Sequence, residues 1–138
     1  MNLELTLPAF APIADALIID DDEDLVFLLR LLLLRDGFTV YTATNGREAR
    51  EFIAASKPTD IVITDLMLPY VSGFELITEI RRNDRWANVP VVVLSGKGTE
   101  RDAVMALNLG ANDFVAKPYR PQELSARIRR HLNFKKSA

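Results

Sequence analysis

The sequence contains no cysteine, so neither a disulfide framework nor a thiolate metal site is open to it. It has little net charge. Lys and Arg number 17 against 19 Asp and Glu, a formal balance of −2, which gives no general drive toward nucleic acid or an anionic membrane. It also lacks a long hydrophobic run. The most apolar stretch, Leu25 to Leu34, is broken by Arg30 and falls far short of the roughly 20 residues that span a bilayer. The start, Met1-Asn2-Leu3-Glu4, carries an acid and has no basic region leading into an apolar one, so no secretory signal is visible. A cytoplasmic protein that contacts neither membrane nor nucleic acid directly is the expectation. What is present suits one ordinary domain: 138 residues, 49% hydrophobic and 26% charged, with seven Phe, one Trp and three Tyr. That aromatic content argues against disorder.

The first 15 residues hold Pro8 and Pro12 and no sustained period, and read as an N-terminal arm. From Ala16 onward, short apolar runs of β type alternate with longer helical runs. The strand candidates are 16–19, 38–41, 61–64, 91–94 and 114–116. Several are continuously apolar, as expected of strands covered on both faces of a parallel sheet. The helix candidates are about 24–36, 46–56, 73–84, 99–109 and 121–131. Gly37 and Gly110 stand where helix C-caps belong, and Pro121 stands in the first turn of the last helix, where its missing N–H costs nothing. Strict alternation implies right-handed βαβ crossovers and helices on both sides of the sheet. The expected fold is α/β, a doubly wound, flavodoxin-like, three-layer sandwich on a five-stranded parallel sheet of order 2-1-3-4-5. The domain is expected over 16–132, with 133–138 as a tail.

Ligands of such sheets bind beyond the carboxyl ends of the strands. The residues that follow the strands are Asp20-Asp21-Asp22-Glu23-Asp24, Asp65-Leu66-Met67-Leu68-Pro69, Ser95-Gly96-Lys97-Gly98 and Lys117-Pro118. Carboxylates gathered within a few ångströms repel one another unless a cation or a proton intervenes. Oxygen ligands without histidine or cysteine select Mg²⁺, or Mn²⁺, over zinc. A carboxylate beside such an ion can attack phosphorus, while a lysine and a hydroxyl neutralise the remaining oxygens. Each piece alone has a plainer explanation. An acidic cluster can simply cap a helix, and a lone aspartate or a Ser-Gly pair can simply turn the chain. Their joint fall at strand ends argues against coincidence.

Four separated segments, 18–23, 61–69, 93–96 and 109–118, resemble the receiver domains of two-component response regulators, the chemotaxis-regulator-like family. The likeness runs from about Ala16 to Leu132. It implies a signalling phosphoprotein in which Asp65 takes a phosphoryl group from a sensor histidine kinase or a histidine phosphotransfer protein, in a phosphorelay or a simpler pair. Asp21 is implied as the direct acidic Mg²⁺ ligand, Asp65 as a second metal ligand as well as the acceptor, the Met67 backbone carbonyl as a third protein ligand, and Asp20 as a water-mediated one. Lys117 is implied to contact the phosphoryl group, Ser95 to be the switch hydroxyl and Phe114 the switching aromatic. Gly73 closes the loop after Asp65, and Lys117–Pro118 is expected to be a cis peptide. The resemblance implies self-catalysed phosphorylation and slow autodephosphorylation rather than turnover. A dehalogenase-type hydrolase also uses an aspartate nucleophile with Mg²⁺, but it needs an acid two residues on, where this chain has Met67. A degenerate receiver that only binds is disfavoured by the presence of Asp20, Asp21, Asp65, Ser95 and Lys117.

Some features go beyond that pattern. At 100° per residue, the apolar positions of 25–34 nearly circle the first helix, although the outer face of a doubly wound domain meets solvent. Either this helix docks a partner or a second copy, or its outer leucines lie under the arm, where Leu3, Leu5, Leu7 and Phe10 cover them. The other candidate dimer surface is fourth helix–fifth strand–fifth helix. Lys97 flanks the phosphoryl site, and His131 suits the last turn of a helix. Six residues follow Leu132, too few for an output domain within this stretch.

Overall fold

The computed structural model describes residues 12–96 and 99–132. The arm residues 1–11, the loop residues Lys97 and Gly98, and the tail 133–138 lie outside the described residues. Strands β1 (Ala14–Ile19), β2 (Phe38–Ala43), β3 (Ile61–Thr64), β4 (Val91–Ser95) and β5 (Asp113–Ala116) form one sheet. Helices α1 (Glu23–Arg35), α2 (Gly46–Ala55), α3 (Gly73–Arg82), α4 (Glu100–Leu109) and α5 (Pro121–His131) follow them in strict alternation. All pairings are parallel, as the alternation implied, and the order is β2-β1-β3-β4-β5, the flavodoxin-like order expected.

The pairing lengthens two strands beyond their apolar runs. Ala14 pairs with Phe38 and Ile19 with Ala43, so β1 starts two residues before Ala16 and takes Ala14 and Asp15 from the expected arm. Parallel ladders hold these residues by their backbones, which is why side-chain character did not mark them.

Two apolar layers flank the sheet. One joins Leu17, Ile19, Val62 and Val93 to α2, α3 and α4, with Trp86 fully buried in it. The other joins Ile18, Ile63, Val92 and Leu94 to α1 and α5. Side chains that alternate along each strand feed the two layers in turn, which explains the unbroken apolar runs. Helix ends are set by local chemistry. Asp22 caps α1 by accepting from the Asp24 and Leu25 amides. Ser72 with Glu75 and Thr99 with Asp102 form capping boxes on α3 and α4. Gly37 and Gly110 end α1 and α4 with φ of +95° and +123°, conformations glycine takes without a Cβ penalty.

Candidate phosphoryl and metal site

Strand lengths and loop caps bring the acids together at the carboxyl edge. Ile19 and Thr64 are partners in the β1–β3 ladder, so the next residues, Asp20 and Asp65, emerge side by side. Ser95 and Ala116 are partners in the β4–β5 ladder, which delivers Lys117 beside Ser95. Asp20, Asp21, Asp22, Asp65, Met67, Ser95, Gly96 and Lys117 line one cleft of about 360 Å³.

Within it, the Lys117 Nζ donates to Asp20 Oδ2 at 2.8 Å and to Asp65 Oδ2 at 3.1 Å. Asp65 Oδ1 accepts from the Leu66 amide at 2.7 Å and the Met67 amide at 3.3 Å. Asp20 Oδ1 accepts from the Asp22 amide at 2.9 Å. Carboxylate oxygens of Asp20, Asp21 and Asp65 lie within 4.8 Å of one another. Asp20 is buried and Asp21 is exposed, so the cluster opens to solvent on the Asp21 side.

Burial pushes the Asp20 carboxyl above its ordinary range; the hydrogen bond from Lys117 opposes this, and the neighbouring Asp65 charge adds to it. Burial by itself lowers the Lys117 ammonium, but its hydrogen bonds and attractions to Asp20 and Asp65 outweigh that, and its pKa stands above normal. The lysine is therefore held charged. Among the described residues, three carboxylates face a single ammonium, which leaves them in negative excess. An oxygen-only donor set with that excess, open on one side, fits a hard divalent cation that keeps part of its water shell.

Other residues singled out by sequence sit around the cleft rather than in it. The Lys117–Pro118 peptide is cis. Gly73 packs behind the nucleophile candidate: a Cβ there would stand 2.2 Å from the Asp65 carbonyl oxygen. Phe114 is half-buried against the α2/α3/α4 layer and does not line the cleft. His131 ends α5, with its Nε2 3.1 Å from Asp113 Oδ2.

Sequence reasoning missed the struts of the loop after Asp65. Gly46 donates to the Pro69 carbonyl, and a Cβ on Gly46 would lie 1.9 Å from the Val71 carbonyl oxygen. Tyr70 adopts φ of +72°, with the Arg47 guanidinium 4.0 Å over its ring. A left-handed tyrosine carries no sequence mark, since Asn, Asp or Gly are the residues that announce that conformation. Gly46 could have been found as a glycine opening a helix after an Asn cap.

A doubly wound parallel sheet with acids and a lysine at its strand ends is the kind of α/β domain that binds ligands at that edge, and these groups suit a hard cation and a phosphoryl group. The family model described as "Response regulator receiver domain" matches residues 16–129. The chain belongs to that family. It is 38% identical over 113 residues to the alkaline phosphatase synthesis transcriptional regulatory protein PhoP of Bacillus subtilis, covering 82% of this chain and 46% of that one. It is 38% identical over 112 residues to the response regulator SaeR of Staphylococcus aureus, covering 81% of this chain and 47% of SaeR. The chain thus spans about half the length of the curated relatives it matches. Among solved structures, the signal receiver domain of a signal transduction histidine kinase from Syntrophus aciditrophicus superposes with a TM-score of 0.81 at 28% identity, covering 91% of this chain and 94% of that one. The receiver domain of the sensor histidine kinase PA1611 from Pseudomonas aeruginosa PAO1, described with a magnesium ion coordinated in its active-site cleft, gives 0.77 at 25% identity, covering 85% and 95%. Receiver domains are phosphoacceptors in signalling, and that is the role of this family.

Proposed function

We propose that Asp65 is the phosphoacceptor of this chain and that the cleft itself promotes the transfer. The observation that carries this reading is the Lys117 ammonium bridging Asp20 and Asp65 beside a third carboxylate, Asp21. An Asp65 oxygen attacks the phosphorus of a phosphohistidine donor, the P–N bond breaks, and its electrons leave with the imidazole. An acyl phosphate forms on Asp65. Amides of Leu66 and Met67 hold the other carboxylate oxygen and so fix the attacking one. Lys117 exchanges its contact with the Asp65 carboxylate for a phosphoryl oxygen, and the buried Ser95 hydroxyl donates to another. Asp20, Asp21, Asp65 and the Met67 carbonyl would hold Mg²⁺ or Mn²⁺, which would supply charge neutralisation to the transferring group.

Phosphorylation adds about two negative charges beside Ser95. Ser95 moves toward them and Phe114 packs into the space it leaves, which reshapes the α4–β5–α5 surface. The shift is as large as the phosphate's preference between the two packings. Water removes the phosphoryl group slowly, so the protein is an acceptor with self-catalysed chemistry. The receiver unit is the expected 16–132 extended at its start by Ala14 and Asp15, which belong to β1. Its donor is a sensor histidine kinase or a histidine phosphotransfer protein in the cytoplasm, and α4–β5–α5 is a candidate dimer face. Among the described residues, no helix is long and apolar enough to cross a membrane.

The test is incubation with acetyl phosphate and Mg²⁺ followed by intact mass. Wild type gains one phosphoryl mass and Asp65→Asn gains none. Equal labelling of both, or labelling of neither, removes the assignment.

A further inference from the structure

The structure leaves one apolar groove without a part in the phosphoryl chemistry. It runs between α1 and α5, has a volume of about 540 Å³, and is lined by Leu25, Leu28, Leu31, Leu32, Pro118 and Tyr119, with Arg35 at one end and Pro121 at the other. On its α1 wall, Leu28 is 58% exposed, and Phe27 beside it is 47% exposed. Leaving such side chains in water is unfavourable, and α1 has spare apolar surface after burying Leu29, Leu32 and Leu33 beneath it.

We propose that the chain's own N-terminal segment, Leu3 to Phe10, occupies this groove. The segment's point of origin carries the argument. The Ile13 amide donates to the Gly37 carbonyl at 2.9 Å, and the Ile13 side chain lies against Gly37. Gly37 is two residues beyond Arg35, the lower end of the groove. The segment therefore starts at the foot of α1, not across the molecule. Its reach is sufficient: at about 3.3 Å per extended residue, 1–11 covers roughly 36 Å, against about 20 Å for the 13-residue α1.

Its pattern also fits. Leu3, Leu5 and Leu7 alternate with Asn2, Glu4 and Thr6, so an extended segment presents its leucines on one side. Leu7 then falls toward Leu28. Charge agrees, since the groove lining contains no acid and ends at the exposed Arg35, with the exposed Arg120 beside Tyr119. The only ionisable side chain of 1–11 is Glu4. Pro118 and Tyr119 directly follow Lys117, so a segment seated here flanks the phosphoryl cleft. A protein that docks on this face must displace it.

The absence of native cysteine makes the test clean. In the full chain, Leu7→Cys with Leu28→Cys is oxidised at low protein concentration beside a control, Leu7→Cys with Val104→Cys on the exposed face of α4. The groove pair should close within one chain about tenfold faster or more than the control, because both pairs share the tether but only a seated segment raises the effective concentration of position 7 at position 28. Closure no faster than the control, or a product that is mainly a disulfide-linked dimer, overturns the proposal; the dimer assigns the groove to a second copy. Leu5→Ser/Leu7→Ser, which leaves the folded domain intact, supplies a second reading by methyl NMR. The Leu28 and Leu31 methyl signals should move while the amide of Trp86, in the layer on the other face of the sheet, holds, and unmoved methyl signals overturn the proposal.

Discussion

Two clusters of acid and base sit at opposite ends of β5, and their charge balances run in opposite directions. At the carboxyl end, Lys117 is the one cation among the described residues that faces Asp20, Asp21 and Asp65. At the amino end, Asp113 alone is met by Arg127 at 3.1 Å, Arg130 at 3.4 Å and His131 at 3.1 Å, all from α5. The second cluster is saturated. It ties a helix to a strand, and a further cation has nothing to gain there. The first is left short of positive charge inside a cleft, which is a poor way to hold a fold together and a good way to recruit a cation and a phosphoryl group. Surplus negative charge in a concave, partly buried place is what separates the reactive cluster from the structural one.

The sharpest way to break this comparison is Lys117→Met, which keeps the stem and removes the charge. Acetyl phosphate labelling should slow by about 10²- to 10³-fold, the usual cost of losing one donor to a developing charge, followed as phosphorylated mass against time. A labelling rate within a few-fold of wild type would show that the lysine is only an ion-pair partner.

Mg²⁺ distinguishes the clusters next. At about 100 times its dissociation constant it should stabilise wild type by roughly 2.7 kcal/mol, and EDTA should remove both that gain and the labelling. Asp21→Asn should weaken the response and Asp113→Asn should leave it whole, as thermal melts with and without the ion will show.

Gly73→Ala tests how the cleft is braced. Its Cβ would stand 2.2 Å from the Asp65 carbonyl oxygen and 2.8 Å from the Leu66 Cα, both backbone atoms. Overpacking of that kind costs about 1–3 kcal/mol, so urea unfolding should shift to lower concentration and labelling should slow with it.

The smallest effect belongs to Asp113→Asn, which should cost about 1–2 kcal/mol near pH 7 by removing charge-assisted hydrogen bonds. Burial opposes ionisation of Asp113, but its hydrogen bonds from His131, the Phe114 amide and Arg127 outweigh it and hold the carboxyl below its usual range. A depressed folded pKa contributes stability above the unfolded value, near 3.9, and that contribution disappears as pH falls through the folded value. The difference between wild type and variant should therefore be full above about pH 5 and vanish in stronger acid. Urea midpoints from pH 7 down to 3 measure it, and a difference that persists at the acid end would place the effect in packing rather than charge.

Much of this protein was legible in its residues. Apolar runs of strand length alternating with helical runs state a doubly wound parallel sheet, because only burial on both faces favours Ile61-Val62-Ile63 or Val91-Val92-Val93 unbroken. The residues that line the cleft were legible for the same reason, since Asp20, Asp65, Ser95 and Lys117 each end or immediately follow such a run. Local signals also marked Gly37, Gly110 and Pro121.

Other features belong to the tertiary structure alone. The ladder between β1 and β2 took in Ala14 and Asp15, where the charge of Asp15 interrupts the apolar run. The left-handed Tyr70 and the tight seat of Gly46 under Val71 follow from two loops meeting across the sheet edge. Asp113 and His131 are 18 residues apart, and only the packing of α5 on β5 makes them partners. Periodicity and local propensity act through neighbours in sequence, so they can place a residue on an element and at its end. Which charges then face each other, and whether they balance, depends on contacts between distant segments that no local pattern encodes.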